Sequence, residues 1–209
     1  MNVYFRSIIS WKVYTRLSLH HVKLIIYRLN LVLWLFKLFY DVPVEGYREL
    51  YGEEQIEKYK IVFSHLGLRF SKVLDIGCGI GLLAGYLKEA GFNGIYIGVD
   101  IDHDRIKYAK KNSTPREYVV EYVVADAHYL PFRDKAFQIS TSFTVVHLLD
   151  IDKAVKEIFR ISQQLIVITL LKKREDLRRK LIEKIQKTGK TSELENMQSK
   201  DYFFIINLD

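Results

Sequence analysis

Residues 73–87 read Val-Leu-Asp-Ile-Gly-Cys-Gly-Ile-Gly-Leu-Leu-Ala-Gly-Tyr-Leu, and no other stretch of the chain restricts its fold so tightly. An apolar run ends in Asp75, glycines follow at 77, 79 and 81, and Leu82, Leu83, Tyr86 and Leu87 then recur at helical spacing. This pattern predicts a buried strand, a tight turn and an amphipathic helix. Glycine is needed where the backbone takes positive φ or approaches a ligand, because a Cβ there would collide. The unpaired N–H groups of the helix point into the same turn, so main chain alone can hold polar groups of a ligand.

A second apolar run, Ile95 to Val99, ends in Asp100, 25 residues after Asp75. That distance fits one strand, one helix and the next parallel strand. A carboxylate at the second strand end suits the vicinal hydroxyls of an adenosine ribose. The third run, Tyr118 to Val124, is followed by Ala125-Asp126-Ala127. Three carboxylates therefore stand at the ends of three successive strands, the edge of an open parallel sheet where ligands bind. Gly79-Ile-Gly-Leu-Leu-Ala84 also reads as G-x-G-x-x-A, the fingerprint of an NAD-binding oxidoreductase. Against that reading, Asp75 would face a pyrophosphate unfavourably, whereas it can accept hydrogen bonds from an ammonium group.

The chain resembles the class I S-adenosylmethionine-dependent methyltransferases, most closely their type 11 group. The resemblance rests on Val73-Leu-Asp-Ile-Gly-Cys-Gly-Ile-Gly81, Gly98-Val-Asp-Ile101, Ala125-Asp-Ala-His-Tyr-Leu-Pro-Phe132 and Ser140-Thr-Ser-Phe-Thr-Val-Val-His147, and spans roughly residues 47–208. It implies a Rossmann-like α/β fold: a seven-stranded, mostly parallel sheet closed by a C-terminal antiparallel hairpin. It also implies S-adenosylmethionine (SAM) as cofactor, held by Asp75 and the turn Gly77, Cys78, Gly79 and Gly81 at its methionine end. Asp100 would bind the ribose, Ile101 would lie against adenine, and Asp126 with the Ala127 backbone would meet the adenine edge. Ser142 and Phe143 would border the methyl group and the acceptor. Gln138 stands where relatives usually have Asp; at the start of a strand, it should matter little to the cofactor.

Before this domain, expected over residues 45–209, lies an extension of different character over 1–44. Its first forty residues carry six basic side chains and no acid, and are apolar from Leu24 to Tyr40. Wound as a helix, Arg16, Lys23, Asn30 and Lys37 form one narrow polar stripe on an otherwise apolar surface. Such a surface needs a cover: an anionic membrane interface, a partner subunit, or a groove on the domain itself. Arg28 and Lys37 interrupt the longest apolar run, and no small-residue cleavage site follows it, so neither a spanning helix nor a cleaved signal is expected. The expected location is the cytoplasm or its membrane surface. The net charge of +7 is concentrated here and in residues 172–190, leaving the rest of the chain net acidic. Asp41 to Gly46 reads as a linker, and 47–66 as a helix with Tyr51, Ile56, Tyr59, Phe63 and Leu66 facing inward. Tyr47 or Tyr51 is expected either to cover the cofactor or to pack on the sheet edge.

A single cysteine excludes a disulfide within the chain, and no Cys/His cluster has metal-ligand spacing. Cys78 is either a reactive thiol beside a helix N-terminus or simply a small residue between glycines. The sulfonium methyl is already activated, so alignment and exclusion of water come first and a general base is optional. His147, beyond the fourth strand, is the candidate base; its plainer reading is a polar loop residue, and His128 stands similarly. The acceptor classes left open are a small, lipid-like or quinone-like molecule, RNA, and protein. A SAM-binding protein without catalysis is the alternative outside enzymes.

Overall fold

A computed structural model of the chain describes residues 44–113, 118–194 and 196–208. The basic apolar extension, save Val44, lies outside the described residues. The elements are α1 (Val44–Leu66), β1 (Lys72–Ile76), α2 (Leu82–Glu89), β2 (Ile95–Asp100), α3 (His103–Asn112), β3 (Val119–Val124), β4 (Phe137–Ser142), α4 (Ile151–Ile161), β5 (Ser162–Leu171), α5 (Glu175–Ile185), β6 (Lys190–Leu194) and β7 (Asp201–Asn207). One seven-stranded sheet in the order β3-β2-β1-β4-β5-β7-β6 gathers every strand. β1 pairs parallel with both β2 and β4, while β7 runs antiparallel to β5 and β6. This is the Rossmann-like architecture with a closing antiparallel hairpin that the resemblance implies.

Helices cover both faces because the strands are apolar on both. Val73, Ile139, Val167 and Ile205 pack under α1, α2 and α3 with Phe63, Leu83, Leu87 and Ile106. Leu74, Ile76, Ile166 and Phe204 pack on the other side against α4 and α5. In α4, Ile151, Ala154, Val155, Ile158 and Ile161 recur at helical spacing and are buried, and Asp150 caps the helix by accepting from the Asp152 N–H at 3.1 Å. Asp102 caps α3 by accepting from the N–H groups of Asp104 and Arg105.

Two expectations need correction. Val44, Glu45 and Gly46 are part of α1 rather than a linker. Tyr51 is 39% exposed and does not face inward, whereas Tyr59 and Phe63 are buried. The buried face of α1 instead includes the polar residues Gln55 and Lys58, for reasons that belong to the site.

Chain order reverses between β1 and β4: β2 and β3 lie on one side of β1, β4 and β5 on the other. A crevice opens at such a switch point beyond the strand C-termini. Gln138 lies at the opposite edge, where its Oε1 accepts from the Ser71 N–H at 2.5 Å and the Ser71 hydroxyl at 2.6 Å, pinning the entry to β1. Gln138→Ala removes that acceptor and is expected to lower stability by about 1 kcal/mol, read as a shifted urea midpoint at unchanged m-value.

Candidate active site

Asp75, one residue from the end of β1, is 3% exposed, and its carboxylate accepts from the Tyr96 hydroxyl at 2.8 Å and from Thr141 Oγ1 at 3.0 Å. Strand register explains both partners. Thr141 lies beside Asp75 on β4, and Gly98 lies beside it on β2, leaving side-chain space through which Tyr96, two residues earlier on the same face, reaches the carboxylate. A Cβ on Gly98 would come within 2.8 Å of both Cys78 Sγ and Tyr122. Burial raises the Asp75 carboxyl to about 6; the two hydroxyls pull it down and the charge of Asp100 pushes it up.

The glycine turn is built for close approach. The Gly77 and Cys78 N–H groups both donate to the Val99 carbonyl, at 2.8 and 2.9 Å, strapping the turn to β2. Gly77 has φ 74, and a Cβ there would drive into the Val145 side chain; Gly81 has φ 79, and its Cβ would meet Tyr122. Asp100 braces the turn from behind: Oδ2 accepts from the Gly79 N–H at 2.8 Å and Oδ1 from the Asp102 N–H at 2.9 Å. α2 then starts at Gly81 with no side-chain cap and no acid in its first turn, leaving its leading N–H groups to an incoming anion. Cys78 is buried, and burial pushes its thiol well above its ordinary value, so it is a small space-filling residue and not a reactive one.

A small cavity of about 20 Å3, open to solvent, lies over this turn. Asp75, Gly77, Cys78, Gly79 and Phe143, five of the residues singled out in the sequence, line it together. Asp100 stands behind the turn, while Gly81, Ile101, Asp126, Ala127, Ser142 and His147 are not in its wall. α1 supplies the roof with Tyr47, Gln55 and Tyr59. Tyr47 is stacked under the Arg105 guanidinium at 4.9 Å, and Tyr59 packs edge-on to Phe143 with ring centroids 4.8 Å apart. Gln55 and Tyr59 were not foreseen as site residues, although their four-residue spacing puts them on one helix face and a glutamine on an apolar face was the available signal.

The remaining residues sit on the surrounding loops, except Ser142 at the end of β4. Ile101 is 71% exposed just past β2. The Ala125 N–H donates to the Asp100 carbonyl at 3.0 Å, keeping the exit of β3, and so Asp126, beside that of β2. Asp126 Oδ1 accepts from the His128 N–H at 2.9 Å and lies 2.6 Å from His128 Nδ1. Ser142 alternates with Thr141 and so points to the opposite sheet face, its hydroxyl buried and without a hydrogen bond. His147 lies in a single 3-10 turn, Val146–Leu148; burial, with Arg174 nearby, lowers its imidazole to about 4, leaving it neutral and weakly basic at pH 7.

The sheet order and the glycine turn reproduce the fold of the class I SAM-dependent methyltransferases. Residues 74–164 match the family model described as "Methyltransferase domain". Curated relatives include the ubiquinone biosynthesis O-methyltransferase of Pelagibacter ubique, 33% identical over 105 residues, and the ubiquinone/menaquinone biosynthesis C-methyltransferase UbiE of Rickettsia prowazekii, 35% identical over 98. These alignments cover 50% and 44% of this chain, and span 43% and 40% of the relatives' own lengths. Among solved structures, the magnesium protoporphyrin IX methyltransferase of Synechocystis with bound SAM superposes at a TM-score of 0.63 with 14% identity, over 82% of this chain and 93% of that one. The PH0226 protein of Pyrococcus horikoshii superposes at 0.64 with 21% identity, over 75% and 91%. At these identities the structures show a shared fold.

The roof is fastened by a buried ionic cluster. Lys58, 1% exposed, donates to Thr144 Oγ1 at 2.8 Å and forms ion pairs with Glu54 at 2.9 Å and with the buried Asp201 at 3.2 Å. Asp201 Oδ2 also accepts from the hydroxyls of Thr144 and Thr169, both at 2.8 Å. Thr144 has φ 59, a strained conformation for a β-branched residue, and these bonds hold it there. Lys58→Met strands the Asp201 charge and is expected to cost about 3–5 kcal/mol of unfolding free energy. Adding Asp201→Asn should recover part of the loss, since its amide oxygen still accepts from the threonines; urea unfolding of the single and double variants checks both.

Proposed function

We propose that this domain binds SAM over the β1–α2 turn and transfers its methyl group to an apolar acceptor of quinone-like or lipid-like chemistry. The observation that carries the cofactor reading is the pairing of the Asp75 carboxylate in the cavity wall with the uncapped first turn of α2. One is an acceptor suited to an amino acid's ammonium, the other a set of donors suited to its carboxylate. A dinucleotide's pyrophosphate would instead have to lie against Asp75. Asp100 offers its remaining lone pairs to a ribose, and Asp126 with Ala127 stands beside it for adenine. SAM, when bound, supplies an activated methyl group on a sulfonium. The chain's residues then orient it and exclude water: Phe143 and Tyr59 present apolar surface, and Tyr47 and Gln55 cover the cleft. With His147 held neutral and weakly basic, the reading asks no strong base of the protein, and alignment provides the acceleration.

The acceptor class is supported by two independent features. The curated relatives carry names of ubiquinone, menaquinone and fatty-acid methyltransferases. On the same sheet edge, Ile101, Tyr129 and Leu148 expose large apolar side chains on loops after β2, β3 and β4. The basic apolar extension over residues 1–44, taken to precede a catalytic domain over 45–209, would meet such an acceptor at an anionic membrane surface. Among the described residues no helix is long and apolar enough to cross a membrane.

Calorimetry should show S-adenosylhomocysteine (SAH), the demethylated product, binding to the native protein. Asp100→Ala should bind at least about tenfold more weakly, having lost charge-assisted hydrogen bonds; equal affinity would remove Asp100 from the site. The free domain gains stability as pH falls from about 6 toward 4, because the buried Asp75 then takes up a proton that it binds more tightly folded than unfolded. An ammonium partner needs the ionised form, so binding runs the other way: SAH affinity should be full above pH 7 and about tenfold weaker at pH 5, with a flat profile for Asp75→Asn. Radiolabelled methyl from SAM should appear in the lipid fraction of a cell extract; label confined to RNA or to protein would overturn the acceptor class.

A further inference from the structure

We propose that His128 is a positioning residue for adenine recognition, holding the Asp126 carboxylate so that one oxygen stays turned toward the exocyclic amine. The inference rests on the SAM reading above and adds to it the part that selects the base. The geometry selects the tautomer of the neutral ring. Nε2 accepts from the Asp150 N–H at 3.0 Å, so in the neutral ring the proton sits on Nδ1 and is donated to Asp126 Oδ1 at 2.6 Å. Both ring nitrogens are thereby engaged, which removes His128 as a general base. The same Oδ1 accepts from the His128 N–H at 2.9 Å. Two donors thus hold one carboxylate oxygen, and among the described residues Oδ2 accepts no hydrogen bond.

The placement gives this free oxygen its use. Asp126 follows Ala125, whose N–H is bound to the carbonyl of Asp100, so the carboxylate stands one step along the sheet edge from the acid assigned to the ribose. Its side chain is 32% exposed and the ring that holds it 21%, so Oδ2 is reachable from solvent while Oδ1 is committed. A lone carboxylate oxygen accepts from the N–H of adenine and repels the carbonyl oxygen that hypoxanthine has at the same position. A site that pairs a ligand N–H discriminates strongly against an analogue lacking it, provided that the acceptor cannot turn away. His128 denies Asp126 that freedom. It is itself held from the far side by Asp150, the N-cap of α4.

The test compares SAH with S-inosylhomocysteine by calorimetry on the full chain. The native protein should prefer the adenine ligand by at least about tenfold. His128→Asn places an amide N–H at the Nδ1 position and should keep that preference while losing the tie to Asp150. His128→Gln reaches the Asp150 N–H but puts no donor at Nδ1, and its preference should fall to about two- to threefold, through weaker SAH binding. The reverse order, or an equal loss of both ligands in the two variants, would assign His128 a structural role only and overturn the proposal. If the native protein binds neither ligand, the SAM reading itself fails, which is a distinguishable result.

Discussion

A carboxylate buried at the middle of a sheet edge is the constraint around which the rest of this domain is arranged. Asp75 cannot be ionised at such a site without donors, and the fold provides two hydroxyls, one from each neighbouring strand. Each donor imposes a further condition. Tyr96 needs the side-chain space that Gly98 leaves, and Thr141 needs β4 beside β1, which is the reversal of chain order that opens the crevice. The glycine turn follows directly from β1 and is strapped to Val99 on β2, so the position of the acid and the position of the turn are one geometric fact. A carboxyl held near 6 by burial is also poised, since a cation arriving in the cavity would favour the ionised form that burial disfavours.

The same sheet face holds a second buried charge centre, which differs in kind. Among the described residues Asp75 has no cationic partner, whereas Lys58 is compensated by Glu54, Asp201 and the Thr144 hydroxyl. A compensated cluster offers nothing to a ligand, but it joins distant parts of the chain. Lys58 comes from α1, Thr144 from the exit of β4 and Asp201 from β7, so the cluster ties the roof to the loop that bears Phe143. Phe143 and Tyr59, each one residue from the cluster, then meet edge to edge over the cavity. The strain at Thr144 sits where the chain must turn Val145 onto Gly77, and side-chain bonds to β5 and β7 offset it.

What could be read from the chain divides along the range of the interactions. The first three strands, the helix α2 and the turn were legible because each is set by local periodicity and by glycines within a few residues. Asp75, Gly77, Cys78 and Gly79 belong to that strand and turn, Phe143 was implied by the family resemblance alone, and the five share one cavity wall. The underside of α1 was not. Tyr51 looked like an inner position because it is aromatic, yet it is exposed, while Lys58 is buried because its partners lie 86 and 143 residues further along the chain. Hydropathy ranks lysine as a surface residue, and only the tertiary fold shows that its charge is met. Gln138 departs from the usual pattern without disturbing the site, because its partner Ser71 is at the other end of β1.

These separations give a reason for the division of labour along the ligand edge. On the proposed SAM reading, the methionine end of the cleft is backbone and one buried acid, whose geometry the sheet itself fixes. On the same reading, the adenine end is side chains on loops, Ile101 and Asp126, which the sheet does not fix and which stay partly exposed. Loop-borne recognition needs its own bracing, and each loop has one: Asp100 accepts the Asp102 N–H after β2, and His128 joins the loop after β3 to the start of α4. Precision at the reacting end comes from strand register, precision at the recognition end from side-chain clamps. A clamp on a loop is therefore separable from the strand-borne acid and turn, whose positions the sheet sets.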